Sequence, residues 1–238
     1  MTIDLTNWSW TGPIDKDGKF KGTASIVKPI PKGFQKSPYF VQDDNGITFA
    51  AVVEGATTSG SNYARSELRE LINGKEAAWK TDKDCSLEAT LKVLEVPTKS
   101  KDKKPGRIVI GQIHGPKDEL CRLYYDNGEI YFYDDKAGPS KKETKFELVD
   151  ANGVTSNIKL GEQFEYTIKV SAGRLSVSVK HGLNVYNASE IIGPFWKGKA
   201  CYFKAGVYLG VGKEGSGAGT VGTGKGIAQF NRIEVKHF

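Results

Sequence analysis

A chain of 238 residues with 38% apolar residues and 28 glycines can fill one full core, and its glycine content suits short strands better than helices. The net charge of +6 favours an anionic partner. No Lys/Arg-dense helix or nucleic-acid motif is visible and no apolar run is long enough to span a membrane, so neither DNA nor a bilayer is the expected partner.

In chain order, Met1-Thr2-Ile3-Asp4 opens without a basic or apolar leader, so no signal peptide is read here and a mature, secreted form is the expectation. Trp8, Trp10, Gly12-Pro13, Pro29 and Pro31 predict one strand and irregular covering segments. Strands are predicted over 39–42 and 46–54, joined by the hairpin signal Asp43-Asp44-Asn45-Gly46. The Gly/Ser/Thr-rich stretch 55–62 is a loop, and Asn62 at its end is a candidate binding residue. Along the strand that follows, Arg65, Glu67 and Arg69 share one face, while Ser66 and Leu68 point the other way. Such a row is either a surface ladder or a preorganised anion clamp. Arginine forks hold carboxylates through paired hydrogen bonds, and Glu67 would fix their orientation.

Residues 86–96 alternate as a strand, and 97–105 form a lysine-rich loop. Ile108 to Ile110 is apolar on both faces and predicts a central strand, which then presents Gln112 and His114 on one face. A hairpin is expected around Asp126-Asn127-Gly128. Its Tyr131 and Tyr133 share a face, as a stacking platform for sugar rings or as packing. A charged loop spans 136–145. Another hairpin turns at Ala172-Gly173, and 189–192 is the one stretch with any helical period.

Between 202 and 209, Tyr202, Lys204, Gly206 and Tyr208 share one face and Phe203, Ala205, Val207 and Leu209 form an apolar core face. Gly206 is read as leaving room for a ligand. The stretch 210–226 is a flexible glycine-rich loop, and its Gly222-Thr223-Gly224-Lys225 lacks the Ser or Thr that a phosphate loop needs next. A closing strand is predicted over 227–235. Cys85, Cys121 and Cys201 are an odd set with the wrong spacing for zinc, and read as small buried hydrophobes.

Arg-Ser-Glu-Leu-Arg from 65, Gln-Ile-His from 112 and Tyr-Phe-Lys-Ala-Gly-Val-Tyr from 202, in that order, resemble the three signature segments of the alginate lyases of polysaccharide lyase family 7. The resemblance implies one all-β domain over 1–238, a β-jelly-roll sandwich of two antiparallel sheets, with a concave groove for an acidic polysaccharide. It implies a poly(uronate) endolyase that acts by β-elimination and requires neither metal nor organic cofactor. Tyr208 would be base and acid, and His114, Gln112 and Arg65 would hold the uronate carboxylate. His114 is the alternative base for substrates whose C5 proton lies on the opposite side. Lys204, Arg69, Glu67, Tyr202, Asn62, Tyr131 and Tyr133 are the expected substrate contacts, in a protein working as a monomer. A phenol near 10 is high for a base, and a cationic neighbour such as Lys204 or Arg69 would favour the phenolate.

One departure bears on specificity. The family usually places Gln two residues after the last Tyr, whereas Leu209 and Gly210 follow here. Alginate is therefore the first expectation and glucuronan or another polyglucuronate the alternative. A non-catalytic acidic-glycan-binding module is the reading from another class. A glycosidase is disfavoured, since Glu67 and Glu70 point to opposite faces.

Overall fold

The computed structural model of the protein describes residues 3–136 and 142–238, so part of the 136–145 loop lies outside the described residues. The strands are β1 (Trp8–Thr11), β2 (Ile26–Val27), β3 (Phe40–Asp43), β4 (Gly46–Val52), β5 (Arg65–Ile72), β6 (Lys75–Glu76), β7 (Cys85–Glu95), β8 (Thr98–Lys99) and β9 (Ile108–His114). They continue as β10 (Glu119–Asp126), β11 (Glu129–Asp134), β12 (Thr144–Glu147), β13 (Gln163–Ser171), β14 (Arg174–His181), β15 (Asn184–Ile191), β16 (Tyr202–Leu209), β17 (Gly222–Thr223) and β18 (Lys225–His237).

Among the described residues these form two large antiparallel sheets. One runs β12-β11-β10-β9-β16-β5-β1-β2, with β6 paired to β5, and the other runs β15-β14-β13-β7-β18-β4-β3. The period-two pattern explains the layering. In β13, Phe164, Tyr166, Ile168 and Val170 are buried while Gln163, Glu165 and Lys169 are exposed. The inner faces of both sheets, Leu68, Ile113, Phe203 and Val207 from one and Leu87, Leu91, Ile168 and Phe230 from the other, meet in a single apolar cluster. This is the expected jelly-roll sandwich. It leaves the outer face of the first sheet free to carry a groove.

Glu70 closes one end of the sandwich. Its buried carboxylate accepts hydrogen bonds from the Trp79 indole, the Phe203 backbone and the His237 ring at 2.9, 2.9 and 2.6 Å. One side chain thereby ties β5 to β16 and β18. The three cysteines are buried and free, as their composition suggested.

Three local expectations are corrected. Residues 189–191 belong to β15, which pairs with β14 from Asn184 to Ile191, and Ile192 follows its end. Four residues are too few to separate a period of 3.6 from one of 2. The closing strand β18 extends past 227–235 at both ends, because its first half pairs with β4 and most of its length with β7. Gly206 does not make room for a ligand. Its φ is +139°, and a Cβ there would lie 2.6 Å from the Ser66 carbonyl oxygen and 2.9 Å from the Glu67 Cα. The glycine serves a bulge in which Ala205↔Gly111 is followed by Tyr208↔Val109.

A carboxyl pair links the two sheets near the β11 edge. Asp134 is fully buried at the end of β11 and Glu190 is buried on β15, and neither has an ion-pair partner among the described residues. The Trp196 indole donates to Asp134 at 3.1 Å. Burial, then the neighbouring Glu190, pushes the Asp134 carboxyl up to about 10, and burial raises Glu190 as well. The folded state thus keeps a proton that the unfolded chain releases near pH 4. This contribution is fully present below that pH and is lost as pH rises towards 10. Stability should fall between pH 5 and pH 9.5. Asp134→Asn, which needs no shared proton, should flatten the decline in melting temperatures across that range.

Candidate active site

Strands β9, β16 and β5 are neighbours, and their register assembles the three sequence segments on the outer face of the first sheet. Across β16 and β5, Lys204 is paired with Arg69, Gly206 with Glu67 and Tyr208 with Arg65. Across β16 and β9, Tyr202 is paired with His114 and Lys204 with Gln112. Arg65, Arg69, His114, Tyr202, Lys204 and Tyr208 line one groove of about 460 Å³.

Glu67 lies beneath its floor, 1% exposed. It pairs with Arg65 at 3.2 Å, pairs closely with Lys204 and accepts from the Gln112 amide. Burial pushes the Glu67 carboxyl up, but Lys204 and Arg65 outweigh it and hold the group below its ordinary value. Lys204 is moved the other way. Burial, then the Arg65 charge, brings its ammonium down to about 8 in spite of Glu67.

Tyr208 is held from three sides. The Arg65 guanidinium lies 4.0 Å from its ring centroid, Tyr63 meets it edge-on at 6.1 Å, and its hydroxyl is 3.1 Å from Ser61 Oγ. Ser61 Oγ also donates to the Tyr63 carbonyl at 3.0 Å and accepts from the Tyr63 amide at 3.1 Å. With the single serine proton used there, the Tyr208 hydroxyl donates to Ser61. The cation on the Tyr208 ring is therefore Arg65, rather than the expected Lys204 or Arg69.

His114 stacks on Tyr202, with 5.2 Å between centroids and 12° between planes. Its Nδ1 faces the Gly115 carbonyl oxygen at 2.6 Å and its Nε2 faces Glu119 at 3.3 Å. Both ring nitrogens thus face acceptor oxygens. Burial raises the Glu119 carboxyl, but His114, Asp135 and Arg122 bring it down to about 2. On the other side of Tyr202, Arg69 lies 3.9 Å from the ring centroid and pairs with Glu76 at 2.9 Å.

Five expected substrate contacts sit elsewhere than anticipated. Glu67 and Gln112 are buried below the groove and orient its cations. Asn62 is exposed at the base of the glycine-rich loop, against Gly212 and Gly217, outside the groove lining. Tyr131 is 3% exposed, with Tyr124 stacked 5.4 Å from it and the Lys145 ammonium 4.2 Å from its ring centroid, so neither face is open to a sugar. Tyr133 is half-buried in the same cluster. The glycine-rich loop is also less free than its composition suggests. The Gly219 amide donates to the Tyr63 hydroxyl at 3.0 Å, and Gly212 bonds Thr220 and Gly222 at 2.9 Å.

Ser61 and Glu119 were missed. Ser61 lies in an aperiodic loop and carries no sequence signal. Glu119 had one, since the short turn after His114 returns the next strand with Glu119 opposite His114.

Comparison with known proteins gives consistent findings. The family profile described as alginate lyase matches residues 3–237. An alginate lyase of Klebsiella pneumoniae is 29% identical, over 87% of this chain and 82% of that protein. The crystal structure of the alginate lyase from Klebsiella pneumoniae superimposes with a TM-score of 0.81 at 26% identity, covering 98% of this chain and 96% of its own. An alginate lyase from Pseudomonas aeruginosa gives 0.79 at 30% identity, covering 99% and 100%.

Removing Glu67 tests its place beneath the floor. Glu67→Gln leaves Arg65 and Lys204 as buried cations facing each other, and should cost about 3 kcal/mol or more in denaturant unfolding. Adding Lys204→Met should recover part of that loss. Equal stability of wild type and Glu67→Gln would show that the carboxylate is not needed there.

Proposed function

The chain belongs to the alginate lyase family, and we propose that it cleaves alginate by β-elimination, with Tyr208 as both base and acid. The observation that carries this reading is the convergence of Tyr208, Arg65, Lys204 and His114 on one groove. A 4-linked uronate has a C5 proton that is weakly acidic while its carboxylate is charged. Arg65 and Lys204 provide cations, with the His114 ring beside them, to hold that carboxylate and the enolate-like charge that develops from it. Gln112 acts from beneath the floor, through the orientation of Glu67.

In this reading the Tyr208 oxygen, as phenolate, takes the C5 proton. The C4–O4 bond breaks, a C4–C5 double bond forms, and the phenol returns a proton to O4. No water is consumed. Ser61 supports both states of the ring: it accepts from the phenol, and by turning its own hydrogen from the Tyr63 carbonyl it can donate to the phenolate. His114 is the poorer base, because both of its nitrogens already face acceptors. The groove is complete within one chain, which supports a monomer as the working unit. A polymer of this kind is met outside the cell, which supports an extracellular place of action.

The decisive assay is incubation with alginate, glucuronan and pectate while following ultraviolet absorbance from the new double bond. Alginate should give the fastest rise. Binding without product from any polymer would favour a glycan-binding module. Tyr208→Phe should lower turnover by roughly 10²–10⁴-fold with binding little changed, since the loss is confined to the transition state. Near-normal turnover would move the base elsewhere.

Lys204 generates a separate pH prediction. Its ammonium is charged below about pH 8 and neutral above, so alginate affinity of the silent Tyr208→Phe protein should weaken as pH rises through 8. In the same background Lys204→Met should bind more weakly at low pH and lose that step. Calorimetric titration between pH 6 and pH 9.5 reads both.

A further inference from the structure

Arg107 precedes β9 and lies next to the end of β16, where the Gly210 amide donates to its carbonyl at 2.9 Å. Its aliphatic stem fills the space above Gly210. A Cβ at that glycine would come within 2.6 Å of Arg107 Cγ and 3.3 Å of its Nε. The glycine that departs from the family pattern is thus what admits the arginine. Gly210 is two residues past Tyr208, on the same strand face and about 7 Å further along. Arg107 therefore stands on the far side of Tyr208 from His114 and Tyr202.

Its guanidinium is positioned but lacks a counter-ion. It lies 4.3 Å from the Tyr124 ring centroid and 5.6 Å from that of Tyr133, and donates to the Tyr131 hydroxyl at 3.1 Å. Tyr131 in turn donates to Asp126 at 2.8 Å, so the closest carboxylate of that chain of bonds is one hydroxyl removed. The other arginines of this sheet, Arg65, Arg69 and Arg122, each pair directly with a carboxylate, at 3.2, 2.9 and 2.9 Å. Among the described residues Arg107 has no such pair. A half-buried guanidinium with free donors is a ready partner for a planar carboxylate. The floor of Val109, Tyr124 and Tyr131 on which it rests is packed against Tyr208 itself.

We propose that Arg107 forms a second carboxylate subsite, which holds a uronate of the same polymer beyond Tyr208 from the reacting sugar. This rests on the polyuronate lyase reading above. The subsite takes a sugar acid, with the guanidinium on the carboxylate. A neutral sugar at that position would leave the guanidinium unpaired.

The test uses the catalytically silent Tyr208→Phe protein, so that binding is read without turnover. Arg107→Met keeps the stem over Gly210 and removes the charge, and Arg107→Lys keeps the charge and loses the fork. With a long alginate oligosaccharide, Arg107→Met should raise Kd about ten-fold or more, and Arg107→Lys should fall between. With an oligosaccharide too short to reach past Tyr208, all three should bind alike. Melting temperatures show whether the tyrosine cluster survives, and Arg107→Lys carries the comparison if Arg107→Met does not fold. Unchanged affinity for the long oligosaccharide, or equal loss for both lengths, overturns the subsite and leaves the lyase reading intact. Failure of the parent Tyr208→Phe protein to bind any alginate overturns the lyase reading itself, and the subsite with it.

Discussion

The groove depends on a carboxylate that the substrate does not reach. Glu67 is buried under the middle strands, and Arg65, Lys204 and Gln112 are drawn to it from β5, β16 and β9. Burying one charge is expensive, and burying several is tolerable only when they satisfy one another. The arrangement fixes where each cation can be, because an ammonium and a guanidinium that leave Glu67 would strand it. Three strands distant in sequence are thereby held in one register by the same group that orients the functional side chains. Stability and site geometry then have a common cause, and a change that loosens one loosens the other.

Backbone irregularity completes what the charges begin. β16 gains a residue against β9 at Gly206, and β9 slips against β10 between Leu123 and Tyr124. Each bulge breaks the ladder locally and re-aims the side chains that follow. Ile110 stays in the core while Val109 turns out to the Tyr124 and Tyr131 cluster. Tyr166 reaches up from the other sheet to donate to the Ile110 carbonyl at 2.9 Å, which accounts for Gly111: a Cβ there would lie 2.7 Å from that hydroxyl. The result is a floor that is polar along β5, β16 and the end of β9, and aromatic beyond Tyr208.

The sequence made the groove face legible because strand alternation is simple geometry. Parity alone put Arg65 with Arg69, Gln112 with His114 and Lys204 with Tyr208 on one face of each strand, and the family resemblance implied that the three faces share one groove. Depth was not legible. Glu67 and Arg69 share that parity, yet one is buried and the other half-exposed, since curvature and neighbouring side chains decide burial. Parity also failed to separate Tyr131 from an open stacking surface, because Tyr124 and Lys145 come from other strands. Gly206 misled for a related reason: its cost and benefit lie in φ and in the Ser66 and Glu67 backbone beside it, which no one-dimensional pattern contains. Ser61 had no periodicity to reveal it, and β15 was hidden by an exposed, polar strand with few alternating apolar residues.

The balance of charge at the centre gives the arrangement its chemical sense. A net charge of +6 over the chain would suit any polyanion, but the inner groove is more economical. Arg65 and Lys204 both face Glu67, so two cations against one carboxylate leave one positive charge. Glu76 is shared between Arg69 and Lys28 at the groove's edge. One uronate carboxylate neutralises the centre, and its arrival requires no existing pair to break. As the C5 proton leaves, negative charge spreads onto that same carboxylate, among donors already fixed by Glu67 and Glu119. Preorganised donors of this kind stabilise the developing charge without being reoriented during the reaction, which is the condition under which electrostatic stabilisation is largest.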